Sequence, residues 1–183
     1  TMLRAGLPDL IETLKIVDLP EKRLTLISES VPAPKKLIPK KIEDYPSLAY
    51  SLNGTPADCV NLACGNLLDR APDIVVSGIN LGYNITMPMI LSSGTVGSAM
   101  EASLLGQRAM ACSMCLPIDE FEDVRNSGGK KLSKKVEKSL QNSAKACARY
   151  AKNMADLAKP DGLSVHNLNF PSDYNGKKEP ILR

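Results

Sequence analysis

The chain has 183 residues, of which 43% are hydrophobic and 23% charged, and it contains no Trp. That length suits a single domain over residues 1–183, and that apolar fraction excludes a disordered chain. A net charge of +3 is too mild to mark a nucleic-acid surface, so no nucleic-acid polymer is expected as the primary partner, yet it favours the approach of a small anionic substrate.

The predicted elements follow in chain order. Residues Leu7 to Ile16 read as a helix, with Pro8 in its first turn and Leu7, Leu10, Ile11 and Leu14 on one face. Leu24 to Ile27 is a short strand. Val31 to Tyr50 carries Pro32, Pro34, Pro39 and Pro46 among lysines and reads as an edge segment or loop, because proline removes ladder donors. Thr55-Pro56-Ala57-Asp58 reads as a helix start, with Thr55 as N-cap, Pro56 in the first position and Asp58 in the third. That helix is predicted to run to about Asp69. Ile74-Val75-Val76 is a β-branched run and the best candidate for a buried parallel strand. It leads into a predicted loop beginning at Ser77.

A second helix follows Ser92-Ser93-Gly94-Thr95, small-faced through Gly97, Ala99 and Ala102, with Gly106 as its stop. Ala109 to Met114 is a strand, and Asp119 to Gly129 reads as a polar loop. Lys130 to Lys159 reads as one long helix with Leu132, Val136, Leu140 and Cys147 inward and its lysines in water. Leu163 to Phe170 is a last strand, closed by Pro171. Strands alternating with helices imply βαβ units and a parallel sheet wound with helices.

Five cysteines (Cys59, Cys64, Cys112, Cys115 and Cys147) include a CxxC at Cys112 and Cys115. A strand would point those two side chains to opposite faces, so reduced, buried thiols are the expectation. No run of about eighteen apolar residues spans a membrane. Thr1-Met2-Leu3-Arg4 lacks a signal peptide's apolar core, and the expected location is the cytoplasm. His166 falls inside a strand pattern, where a structural role is expected.

In an open parallel sheet, ligands bind beyond the carboxyl ends of the strands. The residues after Val76 offer Ser77, Gly78, Asn80, Gly82 and Asn84. Glycines let backbone approach a ligand, and amide oxygens can bind a hard cation without adding charge. Ser93, Gly94 and Thr95 open a helix, where free N–H groups beside two hydroxyls suit a phosphate; the spacing alone fits equally well a turn made by Gly78 and Gly82 and a helix cap at Ser93 or Thr95 with no ligand. No Walker loop is present, and no GxGxxG follows a strand.

Three stretches carry a resemblance: Gly54-Thr55-Pro56-Ala57-Asp58-Cys59-Val60; Pro72 through Asn84; and Ser93-Gly94-Thr95-Val96 with Ala99-Met100-Glu101. In order and spacing they resemble the successive signatures of the SurE family, and Leu168-Asn169-Phe170-Pro171 is similar to that family's later strand end. The resemblance implies an α/β, Rossmann-like three-layer fold with a mostly parallel sheet. It implies a metal-dependent 5′/3′-nucleotidase that hydrolyses nucleoside monophosphates with Mg²⁺ or Mn²⁺, assembled as a homodimer or homotetramer. By that resemblance Asn80 is the metal-binding asparagine. Asn84 lies near the substrate, and Ser93, Gly94 and Thr95 contact phosphate.

The resemblance fails at the front. The family opens with a strand ending in Asn-Asp-Asp-Gly, whose carboxylates hold the metal, and no Asp-Asp pair precedes Ala5-Gly6-Leu7. Asp9 lies on the first turn of the following helix and is no substitute. The catalytic carboxylates therefore have no counterpart in this chain, and a serine-rich loop is also missing between Ile16 and Leu24. The expectation is that these segments belong to the protein and have been dropped from the sequence. The alternative function is a catalytically silent nucleotide- or phosphate-binding protein on the same scaffold.

Overall fold

The computed structural model describes residues 24–28, 39–43, 48–127 and 131–177. The helix predicted over Leu7–Ile16, with Pro8 and Asp9, lies outside the described residues. Within them the strands form two three-stranded sheets. In the first, β1 (Leu24–Ser28) pairs parallel with β3 (Leu48–Leu52), and β2 (Pro39–Lys41) pairs antiparallel with the other side of β3. The proline-lysine stretch thus supplies an edge strand, as proline requires. Its end departs from the predicted loop: β3 is the middle strand, with Ala49 and Leu52 fully buried. The last proline, Pro46, precedes Leu48, so every residue of β3 keeps its N–H donor.

The second sheet holds the carboxyl-side half of the chain. Its strands β4 (Val75–Leu81), β5 (Ala109–Met114) and β6 (His166–Phe170) are all parallel, with β5 in the middle. Every residue of β5 is buried. The β-branched run at Ile74-Val75-Val76 is less buried than its composition predicts, because β4 is an outer strand of this sheet and Val76 is 44% exposed.

Among the described residues five α-helices accompany the strands: α1 (Pro56–Leu62), α2 (Met87–Ser92), α3 (Gly94–Leu104), α4 (Ile118–Asn126) and α5 (Lys134–Ala155). The alternation along β5 sorts them into layers. Ala109 and Ala111 meet Val60 of α1 and Val96, Ala99 and Ala102 of α3. On the opposite face, Met110, Cys112 and Met114 join Val124 of α4, Val136, Leu140, Cys147, Ala151 and Met154 of α5, and Leu168 and Phe170 of β6. Small residues let α1 and α3 approach closely, whereas large ones fill the space under α5. The result is the expected Rossmann-like arrangement of helix, sheet and helix.

Several boundaries differ from the sequence reading. The first of these helices ends at Leu62 and continues only as a π-helical turn, Ala63–Leu67. The long helix begins at Lys134, capped by the Ser133 hydroxyl accepting from the Val136 N–H at 3.3 Å, and stops at Ala155. The polar stretch after Leu116 is α4, not a loop. Asp119 and Glu120 in its first turn and Arg125 in its last complement the helix dipole. It buries Val124 alone; Ile118 and Phe121, at the same helical spacing, stay exposed. No described helix is long and apolar enough to cross a membrane.

Candidate active site

The site grows from an irregularity in β4. Ser77 stands opposite Ala111 of β5, but Asn80 stands opposite Ser113. Three steps along β4 therefore match two along β5, so one extra residue is inserted. Strict alternation would send Asn80 to the face opposite Ser77. The insertion returns it to the same face and sends Ile79 and Leu81 into the core beneath α5. Gly78 makes this possible: its φ is +119°, and a Cβ there would overlap the Cys112 carbonyl. The predicted loop from Ser77 is thus the second half of β4, and Asn80 is a strand residue. Its Nδ2 donates to the Gly82 carbonyl at 3.3 Å, which orients the amide and leaves Oδ1 as the atom to offer a ligand.

The Ser93–Thr95 turn is placed by α3, which runs back along the sheet. Ser98 Oγ lies 2.7 Å from Ser77 Oγ, and Ser103 Oγ accepts from the Ser164 N–H, just before β6, at 2.7 Å. The helix is therefore antiparallel to the strands, and its first turn overhangs their carboxyl ends. Thr95 precedes Ser98 by one turn, as Asn80 follows Ser77 by three residues along β4. Ser93 is the N-cap, its hydroxyl accepting from the Val96 N–H at 3.2 Å. The amides of Gly94 and Thr95, in the first two helical positions, have no intrahelical acceptor. Gly94 also packs on α1: a Cβ there would come within 3.2 Å of Pro56 Cγ. At α1 the predicted cap is complete, with Asp58 N–H donating to Thr55 Oγ1 and Thr55 N–H donating to Asp58 Oδ2 at 2.7 Å.

Asn84 sits behind this surface, 4% exposed. Its Nδ2 donates to Ser113 Oγ at 2.8 Å, and its N–H donates to Asn169 Oδ1 at 2.9 Å. Its carbonyl accepts from Asn167 Nδ2 at 2.7 Å. Ser113 and Asn167 were not singled out in the sequence, and Asn169 entered only as part of the Leu168–Pro171 stretch. The signal was present, since His166-Asn167-Leu168-Asn169-Phe170 alternates apolar and polar residues and places both asparagines on the α3 face. Between Gly82 and Ser93 the predicted loop holds one short helix, α2, begun by Pro88 within its first turn.

Other candidates fall elsewhere. His166 opens β6, at the amino end of the sheet, in a cleft with Arg108, Met154, Leu157 and Ser164, far from the carboxyl-end surface. All five cysteines are free. Cys112 is buried on the α5 face, where a hydrogen bond to Cys147 and burial push its thiol well above the usual thiol range. Cys115 lies past the end of β5, with Sγ 3.1 Å from the Leu116 carbonyl. The CxxC is thus no pair. Contact with Cys115 also raises the Tyr83 hydroxyl, with partial burial and Asp173 adding to it.

As a cation site the surface is partial. Asn80 supplies a hard but neutral oxygen, and among the described residues no group of three or more His, Cys, Asp or Glu could hold a metal. Divalent cations are held more tightly as ligand charge accumulates. The described residues therefore fit one ligand of such a site, and no step of the chemistry follows from them.

A family model described as "Survival protein SurE" matches residues 3–181. The chain belongs to the SurE family. It is 39% identical over 164 residues to a 5′-nucleotidase SurE of Thermoanaerobacter sp. (strain X514), covering 89% of this chain and 58% of that protein. It is 36% identical over 126 residues to a 5′-nucleotidase SurE of Methanosarcina barkeri (strain Fusaro / DSM 804), covering 67% of this chain and 44% of that one. The crystal structure of the SurE protein from Aquifex aeolicus superposes with a TM-score of 0.63 at 26% identity, covering 93% of this chain and 62% of its own. The chain therefore spans less than two thirds of the length of these SurE relatives.

Proposed function

We propose that the protein is a 5′/3′-nucleotidase that hydrolyses nucleoside monophosphates to nucleoside and phosphate with the help of a divalent cation, Mg²⁺ or Mn²⁺. The observation that carries this reading is the placement of Asn80 and the α3 N-terminus on one face at the carboxyl end of one sheet. The names of the SurE relatives support the substrate class. In this reading the N–H groups of Gly94 and Thr95, with the Thr95 hydroxyl, bind phosphoryl oxygens, and Ser93 holds that turn in shape. Asn80 presents its oxygen to the cation, which would polarise the phosphoryl group and activate water. Asn84 shapes the substrate side of the same surface. The carboxylates that complete the metal site are to be sought outside the described residues. We take residues 1–183 as one domain of a cytoplasmic protein that assembles as a homodimer or homotetramer; for the assembly alone, the exposed apolar side chains at Ile85, Met87, Met89 and Leu91 are support.

Hydrolysis of nucleoside monophosphates by the full-length protein, with and without Mn²⁺ or a chelator, tests this. Asn80→Ala, which removes the proposed metal ligand, and Thr95→Ala, which removes a phosphate donor, are each expected to lower turnover roughly ten- to a thousandfold. Unchanged turnover in both rejects the site, and calorimetric binding without turnover in the wild type rejects the enzyme.

A further inference from the structure

β6 has no part in the reaction proposed for the site, yet it places two half-buried asparagines on the α3 face, while Leu168 and Phe170 pack as hydrocarbon on the other side. Amides drawn partly out of water cost stability unless they are hydrogen-bonded, so their partners say what they are for. Asn169 Oδ1 accepts from the Asn84 N–H at 2.9 Å, and Asn169 Nδ2 reaches the Asn84 carbonyl at 3.3 Å and Asn167 Oδ1 at 3.2 Å. Asn167 Nδ2 donates to the same Asn84 carbonyl at 2.7 Å. Both backbone polar groups of one residue, more than eighty positions away in sequence, are thus gripped from a single strand.

That residue is well chosen. Between Gly82 and Ser93 only Asn84 is buried; the rest of the segment is exposed or half-exposed. The segment joins Asn80, at the end of β4, to the Ser93–Thr95 turn at the start of α3. Fixing the N–H and carbonyl of Asn84 fixes the direction in which the chain leaves on both sides, so one anchor sets the relation between the two halves of the site.

We propose that Asn167 and Asn169 are positioning residues, which hold Asn84 by its backbone and so keep the phosphate turn in register with Asn80. This rests on the nucleotidase reading of that surface. Mutating the outer partners of catalytic ligands commonly costs about ten- to a hundredfold in activity, and misplacement by about 1 Å can cost a hundredfold.

The test uses Asn167→Ala and Asn169→Ala in the full-length protein, with Asn142→Ala as a comparison. Asn142 Nδ2 also donates to a backbone carbonyl, that of Tyr174 at 3.1 Å, but from α5 on the opposite side of the sheet. Melting temperature, kcat and KM for a nucleoside monophosphate with Mn²⁺, and amide hydrogen exchange are measured for each. The expected result is a roughly ten- to hundredfold fall in kcat for the β6 variants, with KM moving much less. Exchange should speed up across residues 83–92 and hold steady across 109–114. Asn142→Ala should lower the melting temperature and leave kcat and the 83–92 exchange alone. Unchanged exchange at 83–92, or faster exchange with full kcat, overturns the proposal. If a β6 variant does not fold, Ser113→Ala, which removes only the acceptor of Asn84 Nδ2, is read by the same criteria. A wild-type protein that hydrolyses nothing defeats the nucleotidase reading instead, and the proposed anchoring then stands or falls on the exchange data.

Discussion

Beneath α4 and α5 the second sheet presents Met110, Cys112, Met114, Leu168 and Phe170; beneath α1 and α3 the same strands present Ala109, Ala111, Ser113, Asn167 and Asn169. One face is hydrocarbon from end to end. The other starts as alanine and turns polar toward the carboxyl ends of the strands, where α3 begins. The apolar face gains stability from every residue it buries. The polar face gains none until its amides and hydroxyls are paired, and they are paired with one another and with the segment that carries the site. The division teaches where to look for function: in the residues that bury polarity where hydrocarbon would fit.

Four changes would break or sharpen this contrast. The largest effect is expected from Phe170→Ala, which empties a fully buried position whose ring lies 5.0 Å from that of Tyr174. Chemical unfolding should show a loss of about 3–5 kcal/mol. Next is Gly78→Ala, where the positive φ and the nearby Cys112 carbonyl admit no side chain. A loss of about 2 kcal/mol or more is expected, and since the insertion aims Asn80, phosphatase activity should fall further than stability alone explains.

Ser93→Ala removes the hydroxyl that caps α3 and should cost about 1 kcal/mol in denaturant titrations. The smallest effect concerns pH. Burial, with the Asp58 carboxylate adding to it, pushes the Cys59 thiol up from 9.0 to about 11. Between those values the unfolded chain has released its thiol proton while the folded chain keeps it. The unfolded state then binds fewer protons, so stability falls as pH rises through that window. Urea midpoints measured across it should decline, and Cys59→Ser should make the decline shallower; an identical slope in the variant would assign it to other thiols such as Cys64 and Cys112, which are also raised.

Much of the fold was legible because it is locally encoded. The strand Ala109–Met114 is as the sequence predicts, and the Thr55–Asp58 capping box and the stop at Gly106 need only a few neighbouring residues. The short helix α4 was missed although Ile118, Phe121 and Val124 recur at helical spacing, because Asp119, Glu120, Glu122 and Asp123 between them give the stretch the polar look of a loop. The strand β3 was missed because nearby prolines dominated the reading of a stretch that ends inside it, although Leu48–Leu52 itself contains none.

By itself the sequence determined the family, the α/β class and the capped helix start at Ser93–Thr95, since each rests on motifs or caps formed by residues close in the chain. Tertiary structure alone decided that Asn80 shares a face with Ser77 and Ser113, and that Asn167 and Asn169 hold Asn84. A period of two counts residues along one strand, so an inserted residue becomes visible only against its neighbour's register. Hydrogen bonds between residues more than eighty positions apart leave no local pattern to read.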